Sequence, residues 1–525
     1  MSIENMPDNK LARKAGVVSL ATACSRVFGL MREQTFAYFF GASMATDAFL
    51  AAFRIPNLLR DLFAEGVLSS AFVPVFTENL TNQGKEKAFR LVNLVANSLL
   101  VTVGLIVLIG IIISPLIVQL IAPGFDKVPG KSELTITLTR IMFPFLLFIA
   151  LAALVMGVLN SLGKFAVPAF APVMLNLGMI LAGFLVCPFF DPPILGMAIG
   201  AVLGSIGQFL IQYPSLKKEG YHYQWVLDFR DPELKKIFWL MTPATLGLAS
   251  TQINIFVNTL IASFLPQGSI AYLNYSFRLM HFPLGVFGVA IATVSLPSLS
   301  LLAARNQTKE MLDTFYSSMK LVFFYTIPST IFLIVASKPI IAILYQYGKF
   351  SYLDTINTSQ ALAFYAIGLF AYASVRVAVS FFYSLKDAKT PVKISVVAVA
   401  CNIILNLALM KPLGFRGLAL ATSVSAIVNL SLLLYYLNRK AGPLDFSFLK
   451  RGFFKVLVAS LGIGAALWLY LDLWGLDLSQ ASFLLKLGQI IITFLLGAGS
   501  FLFLAKILQI EELKTVLNLF KRRLK

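Results

Sequence analysis

The sequence predicts an all-α integral membrane protein with fourteen transmembrane helices, and three observations carry that expectation. Of its 525 residues 58% are hydrophobic and only 13% charged, with a mean hydropathy of +0.82. A soluble domain carries about 25% charged residues. Apolar runs near 20 residues, the length that crosses a bilayer, recur along the chain. Strand-type alternation is missing from the sequence, which excludes an outer-membrane barrel.

The spans run near 14–40, 45–78, 88–120, 134–161, 166–188, 193–215, 234–265, 269–301, 312–346, 356–384, 390–410, 415–437, 452–474 and 481–508. Short connections rich in Gly, Pro, Asn and Asp separate them, such as APGFDKVPG, PFFDPP and KPLGF, and leave no room for a soluble domain. The polar start, MSIENMPDNKLARK, is followed by no small-residue cleavage site behind a short apolar core, so the first span is expected to stay in the protein. Pro144, Pro172, Pro243, Pro283 and Pro328 fall inside spans and mark breaks or hinges.

A net charge of +19 would suggest nucleic acid in a soluble protein. Here its placement explains it. An even number of spans puts both termini on one side, together with Lys85, Lys87, Arg90, Lys164, Lys217, Lys218, Arg230, Lys235, Lys236, Arg305, Lys309, Lys386, Lys389, Lys393, Arg439, Lys440 and the tail KRRLK. The other side holds little more than Lys127, Lys131, Lys349, Lys411 and Arg416. The basic side is the cytoplasmic one. Attraction of these loops to anionic lipid head groups is a second reading of the same charge. Cys24, Cys187 and Cys401 have neither metal-type nor disulfide spacing and read as apolar filler, and His222 and His281 are too far apart in sequence to suggest a metal pair.

The chain resembles itself at an offset of about 223 residues. Phe53-Arg54 falls on Phe277-Arg278, Val73-Pro74 on Leu296-Pro297, and NSLGKFAVP (160–168) on YSLKDAKTP (383–391). The offset covers six spans, so the halves share one orientation and are expected to form two six-helix bundles related by a pseudo-two-fold axis, with a site at their interface. This gives an N-lobe of residues 1–230, a C-lobe of 231–440, and two additional spans with a basic tail in 441–525.

Charges inside spans locate that site. Span 1 carries Arg26, Arg32 and Glu33, with Ser25 on the face of Arg32; span 2 carries Asp47, Arg54, Arg60, Asp61 and Glu65, with Asn57 among them; span 8 carries Arg278 one turn before His281. An arginine near the bilayer centre costs about 2.5–3.5 kcal/mol on insertion scales. The plain alternative is that these groups neutralise one another, Arg26 or Arg32 with Asp47 and Arg54 with Asp61. Five arginines exceed what such a lock needs. A guanidinium fork binds phosphate oxygens bidentately and keeps its charge, so a surplus of arginine suits an anionic cargo such as a diphosphate. Asp47 and Glu65 would orient the arginines. Arg376, within span 10, could face the cavity or pair locally, while Arg140 and Lys486 near helix ends are expected to snorkel.

At these residues the chain resembles a known family. SRVFGLMREQTFAYFFGASMATDAFLAAFRIPNLLRDLFAEGVLSSAFVPVF, FRLMHFPLGVFGVAIATVSLPSLS, QYGKF and DAKTPVKI are similar to blocks of the MurJ (MviN) family of lipid II flippases, within the MOP exporter superfamily. The resemblance implies movement of lipid II, an undecaprenyl-diphosphate-linked glycopeptide, from the cytoplasmic to the periplasmic leaflet of the bacterial inner membrane by alternating access. It implies that Arg26, Arg32, Arg60, Arg278 and Asp47 are the required cavity charges, and that the last two spans form a groove for the lipid tail. Membrane lipids and other cell-wall synthesis proteins are the partners it suggests. Some members bind sodium through carboxylates; the corresponding spans here offer Asn254, Asn258, Asn402, Asn406 and Asn429 instead, so no cofactor is expected and the energy source stays open between sodium and membrane potential.

Competing readings differ in the charges they need. A cation-drug exporter calls for a carboxylate-rich cavity. Another exporter of an anionic lipid-linked oligosaccharide shares the arginines. An enzyme acting on a polyprenyl diphosphate needs an acidic metal cluster or an activated nucleophile, and the sequence offers neither. A scaffold for cell-wall enzymes would have no use for buried arginines.

Overall fold

The computed structural model describes residues 8–60 and 67–514. Among these residues it is helical throughout, with no strand. The helices are α1 (Asp8–Phe40), α2 (Met44–Arg60), α3 (Val67–Gln83), α4 (Lys85–Ile112), α5 (Ser114–Ile121), α6 (Lys131–Met142), α7 (Phe145–Ser161), α8 (Ala166–Leu185), α9 (Ile194–Leu210), α10 (Tyr213–Lys218) and α11 (Pro232–Ser263). They continue as α12 (Ser269–Pro283), α13 (Ala290–Ala304), α14 (Thr308–Val335), α15 (Ser337–Tyr345), α16 (Tyr352–Ala366), α17 (Leu369–Ser384), α18 (Lys389–Leu413), α19 (Phe415–Lys440), α20 (Phe446–Trp474) and α21 (Phe483–Ile507). Ten of the described helical stretches are long and apolar enough to cross a membrane, or eleven when α16 and α17, bent by 40°, count as one. The charge-bearing α1 and the 17-residue α2 and α3 are outside that set. The described helices that hold the first-unit arginines, α1 and α2, are thus passed over by length and composition, while Arg278 lies in a stretch that passes, Ser269–Ala304.

The chain folds as two compact units, 1–268 and 269–525. The boundary lies after α11, which in this conformation packs on α3, α4 and α5 of the first unit.

In the first unit α8 and α9 pack face to face through small residues. Gly196, Gly200 and Gly204 recur every fourth position on α9, and a Cβ at Gly200 would lie 2.3 Å from that of Ala182. With no hydrophobic drive between helices in lipid, such close backbone approach is what holds them. α1 packs on α8 and runs unbroken through Gly29, which faces Asn176. A segment without regular secondary structure, 221–228, precedes α11. Asn93 and Asn97 on α4 donate to the carbonyls of His222, Gln224 and Val226 at 2.9–3.0 Å and accept from the Tyr221 and Tyr223 hydroxyls, satisfying backbone that forms no helix.

In the second unit the break between α16 and α17 is satisfied the same way. The Ser423 hydroxyl donates toward the carbonyls of Phe364 and Tyr365, at 2.7 and 3.0 Å. Gly368 makes room, since a Cβ there would sit 2.6 Å from Ser423 Cα. The expected snorkelling of Lys486 is not what the structure shows. It is 4% exposed, within 3.5 Å of the Gln346 carbonyl and above the Tyr347 ring. Arg140 stays exposed and donates to Ser114.

In each unit an ion pair ties the segment before one helix to the end of the helical stretch that follows it. In the first, Glu219 after α10 meets Lys164 at 3.0 Å and Lys85 at 3.4 Å. In the second, Lys440 at the end of α19 meets Asp387, which also accepts from the amide and hydroxyl of Thr390 at the start of α18. The two pairs fall at repeat-related positions with the charges exchanged. Partial burial pushes the Asp387 carboxyl up, but Lys440 and Thr390 outweigh it and hold it at about 2, below the usual 3.8. A depressed pKa stabilises the fold above pH 3.8, and that contribution fades as pH falls toward 2. Asp387→Asn should therefore lower stability by about 1–2 kcal/mol at pH 7, once screening at the exposed lysine is allowed for. The difference from wild type should vanish near pH 2, as followed by thermal unfolding in detergent.

Candidate functional site: intramembrane arginines

Apolar sequence makes α1 and α2 helical, and helical spacing distributes their charges. On α1, Arg26 is exposed and has no ion pair or hydrogen bond among the described residues. Ser25, half-buried, accepts from Asn176 of α8 through its carbonyl at 3.3 Å. Arg32 is half-buried and pairs with the adjacent Glu33, whose side chain is 11% exposed. The long side chain of Arg32 reaches Glu33 from the adjacent position on the helix.

On α2, Arg54 and Asn57 come together. With Ile55 and Leu58 they line a pocket closed by Ile121 of α5 and by Gln252, Ile255 and Phe256 of α11. Gln252 is a polar lining residue that sequence reasoning missed, because nothing local marks one glutamine within a polar stretch of span 7. Arg60, half-buried, is the last described residue of α2. Glu65 and Asp61 lie outside the described residues.

Asp47 sits elsewhere in the first unit. It occupies the first turn of α2 and is 1% exposed. Its Oδ2 accepts from Lys131 Nζ at 2.9 Å and from the Gly268 amide at 2.8 Å. Lys131, read from sequence as one of the few outward-side loop cations, is the first residue of α6 and its side chain is 3% exposed. The Phe125 ring lies 4.1 Å from its ammonium. A cation at a helix N-terminus opposes the dipole, and Asp47 offsets both that and the burial.

In the second unit, Arg278 is exposed on α12 and its Nε donates to Asn274 at 3.3 Å. His281 follows by one turn and donates through Nδ1 to the Phe277 carbonyl at 2.9 Å. Six residues of π-helix, Leu284–Val289, then join α12 to α13. The candidate residues thus distribute over both units, with Ser25, Arg26, Arg32, Asp47, Arg54, Asn57 and Arg60 in the first and Arg278 in the second.

Comparison with known proteins adds a family to this geometry. Residues 36–492 match the family model described as lipid II flippase MurJ. A probable lipid II flippase MurJ of Vibrio cholerae is 40% identical over 446 residues, covering 82% of this chain and 85% of the relative. A lipid II flippase MurJ of Burkholderia cenocepacia is 38% identical, covering 82% and 84%. Among solved structures, a lipid II flippase MurJ in an inward closed conformation superposes with a TM-score of 0.76 at 29% identity, over 94% of this chain and 99% of that one. An inward-facing multidrug resistance MATE transporter of the MOP superfamily, at 15% identity and a TM-score of 0.65, shares the fold. By the extent and identity of these matches, this chain belongs to the MurJ family of lipid II flippases, a family of transporters and not of enzymes.

Proposed function

We propose that this chain is a lipid II flippase of the bacterial inner membrane, carrying the undecaprenyl-diphosphate-linked peptidoglycan precursor from the cytoplasmic to the periplasmic leaflet. The observation that carries the chemistry is Arg26, a guanidinium inside a 33-residue helix with no counter-charge among the described residues. A fixed cation in that setting is stabilised by a mobile anion, and the diphosphate of the cargo supplies one. Arg32, Arg60 and Arg278, with Arg54, Asn57 and Ser25, complete the binding set. Glu65 is assigned with them from sequence. The charge-exchanged pairs Lys164–Glu219 and Asp387–Lys440 support two repeat-related six-helix bundles working by alternating access. The distribution of Lys and Arg supports fourteen spans with both termini cytoplasmic.

Membrane potential is the favoured energy source. Asn406 donates to Asn402 at 2.9 Å, and Asn402 to Thr422 at 3.4 Å, so neutral amides and a hydroxyl engage each other where a sodium site would call for carboxylate oxygens. Moving one charge across the field is worth about 2.3 kcal/mol per 100 mV. The deciding experiment follows labelled lipid II in vesicles holding the purified protein. Outward-leaflet exposure should require the protein, persist when choline replaces sodium, and slow when the potential is collapsed. Equal exposure in protein-free vesicles would defeat the flippase reading; loss in choline would defeat the energetic one.

A further inference from the structure

We propose that residues 221–228 of the first unit are a docking edge for an acidic, extended segment of a partner protein, which pairs with them as an added β-strand. The proposal goes beyond the flippase reading and takes from it only the cytoplasmic side of this segment.

The segment has no regular secondary structure, yet α4 holds it in a fixed line. Asn93 donates to the His222 carbonyl and Asn97 to those of Gln224 and Val226, while the Tyr221 and Tyr223 hydroxyls donate to the same two side chains. Asn93 and Asn97 stand one turn apart, about 6 Å along α4. Two residues of the segment cover that turn, so the chain advances about 3 Å per residue, close to the rise of a strand. In such a chain backbone groups alternate in direction. With the carbonyls at 222, 224 and 226 turned to α4, those of Tyr223, Trp225 and Leu227 turn away from it. Tyr221 anchors the start, 4% exposed with its ring 5.7 Å from that of Phe89.

The far edge is open. Among the described residues the amides of 222–227 and the carbonyls of Tyr223, Trp225 and Leu227 make no hydrogen bond within the protein. The side chains of Tyr223, Trp225 and Leu227 are exposed, Trp225 the most at 63%. Natural proteins shield such edges with proline or charge, and HYQWVL, residues 222–227, has no proline, lysine, arginine or carboxylate. A row of open backbone groups beside exposed apolar side chains is what captures an extended segment by strand addition. The flanking charge says which segment. Lys217 and Lys218 precede the edge and Arg230 and Lys235 follow it, all exposed and none in an ion pair among the described residues. The complement is a strand with alternating apolar residues at its centre and carboxylates at both ends. Anionic lipid head groups would also meet these cations and rings, but they offer the backbone no alternating row of donors and acceptors, so the open edge favours a peptide.

The test uses the full-length protein in nanodiscs and a fluorescein-labelled probe, Glu-Glu-Val-Thr-Val-Thr-Val-Glu-Glu, followed by fluorescence anisotropy and by backbone hydrogen exchange. The probe should bind and slow exchange across 222–228 of the wild-type protein. Methylating its five central amide nitrogens removes its ladder without changing its charge, and should weaken binding about tenfold or more. Lysine in place of its glutamates should weaken binding severalfold, as should Trp225→Ser in the protein. A probe that does not bind, or that binds equally well when methylated, overturns the docking edge. The lipid alternative is read in a protein whose single tryptophan is Trp225, made by Trp239→Phe, Trp468→Phe and Trp474→Phe. Strong quenching of Trp225 by brominated phosphatidylglycerol, with no binding of the probe, assigns the segment to the membrane surface and overturns the proposal. None of these outcomes bears on lipid II transport, which the vesicle experiment tests separately.

Discussion

Arg278→Ala and Arg32→Ala should each abolish growth of a flippase-depleted bacterium while the protein still inserts at normal levels. The two substitutions reach that outcome by different physics. Arg278 is exposed, with Asn274 of its own helix among its contacts, so truncation removes the cation from an open position and not from a packed core. A charge-assisted hydrogen bond is worth about 1.5–3 kcal/mol, or roughly ten- to a hundredfold in affinity, and a bidentate fork loses two. Arg32 is paired with Glu33, and removing it withdraws a neighbour from a carboxylate that is 11% exposed. Breaking a buried pair costs about 3–5 kcal/mol. The single substitution therefore mixes stability with transport. Arg32→Gln combined with Glu33→Gln separates them, because two neutral amides can hydrogen-bond where the ions did. The combination should insert and melt like wild type and still fail to support growth. Growth of the double variant would make Arg32 a structural partner of Glu33 and remove it from the cargo site.

How much of this was legible in the sequence follows from where each signal resides. Helical periodicity and apolar length are local, so the helices between 85 and 507 fall close to their expected positions. The sequence register that sets Lys164 against Asp387 finds each of them in an ion pair, Lys164 with Glu219 and Asp387 with Lys440. The arginines announced themselves because a charge in an apolar run needs a reason. What stayed hidden depends on tertiary approach. Lys131 looked like a loop lysine, since only the fold shows that α6 starts at that residue beside Asp47. Lys486 looked like a snorkelling cation, since nothing near it in sequence reveals the Gln346 carbonyl. Gln252 had no signal at all. The π-helical turn after His281 leaves no mark that Gly285 and Gly288 alone would provide, because glycine is common in membrane helices for many reasons.

Lys131→Met alone should destabilise the protein by about 3–5 kcal/mol, and Asp47→Asn in the same molecule should restore most of the loss. The argument starts from burial. Both side chains are at most 3% exposed, so removing the lysine leaves a carboxylate without its nearest cation. The macrodipoles do not rescue it: Asp47 in the first turn of α2 gains there, but by only about 0.3–1 kcal/mol. In the double variant the charge is gone from both sides. The asparagine oxygen can still accept from the Gly268 amide, so no buried N–H is orphaned, and methionine refills the space against the Phe125 ring. Chemical denaturation of the four proteins in the cycle gives the coupling energy directly. Growth then decides what Asp47 is for. If it holds the starts of α2 and α6 and the turn at Gly268 together, the double variant regains transport along with stability, and this is the expected result. A double variant that is stable yet inactive would show that the carboxylate itself acts on the cargo or its arginines, as the sequence first suggested, and that Lys131 only keeps it charged.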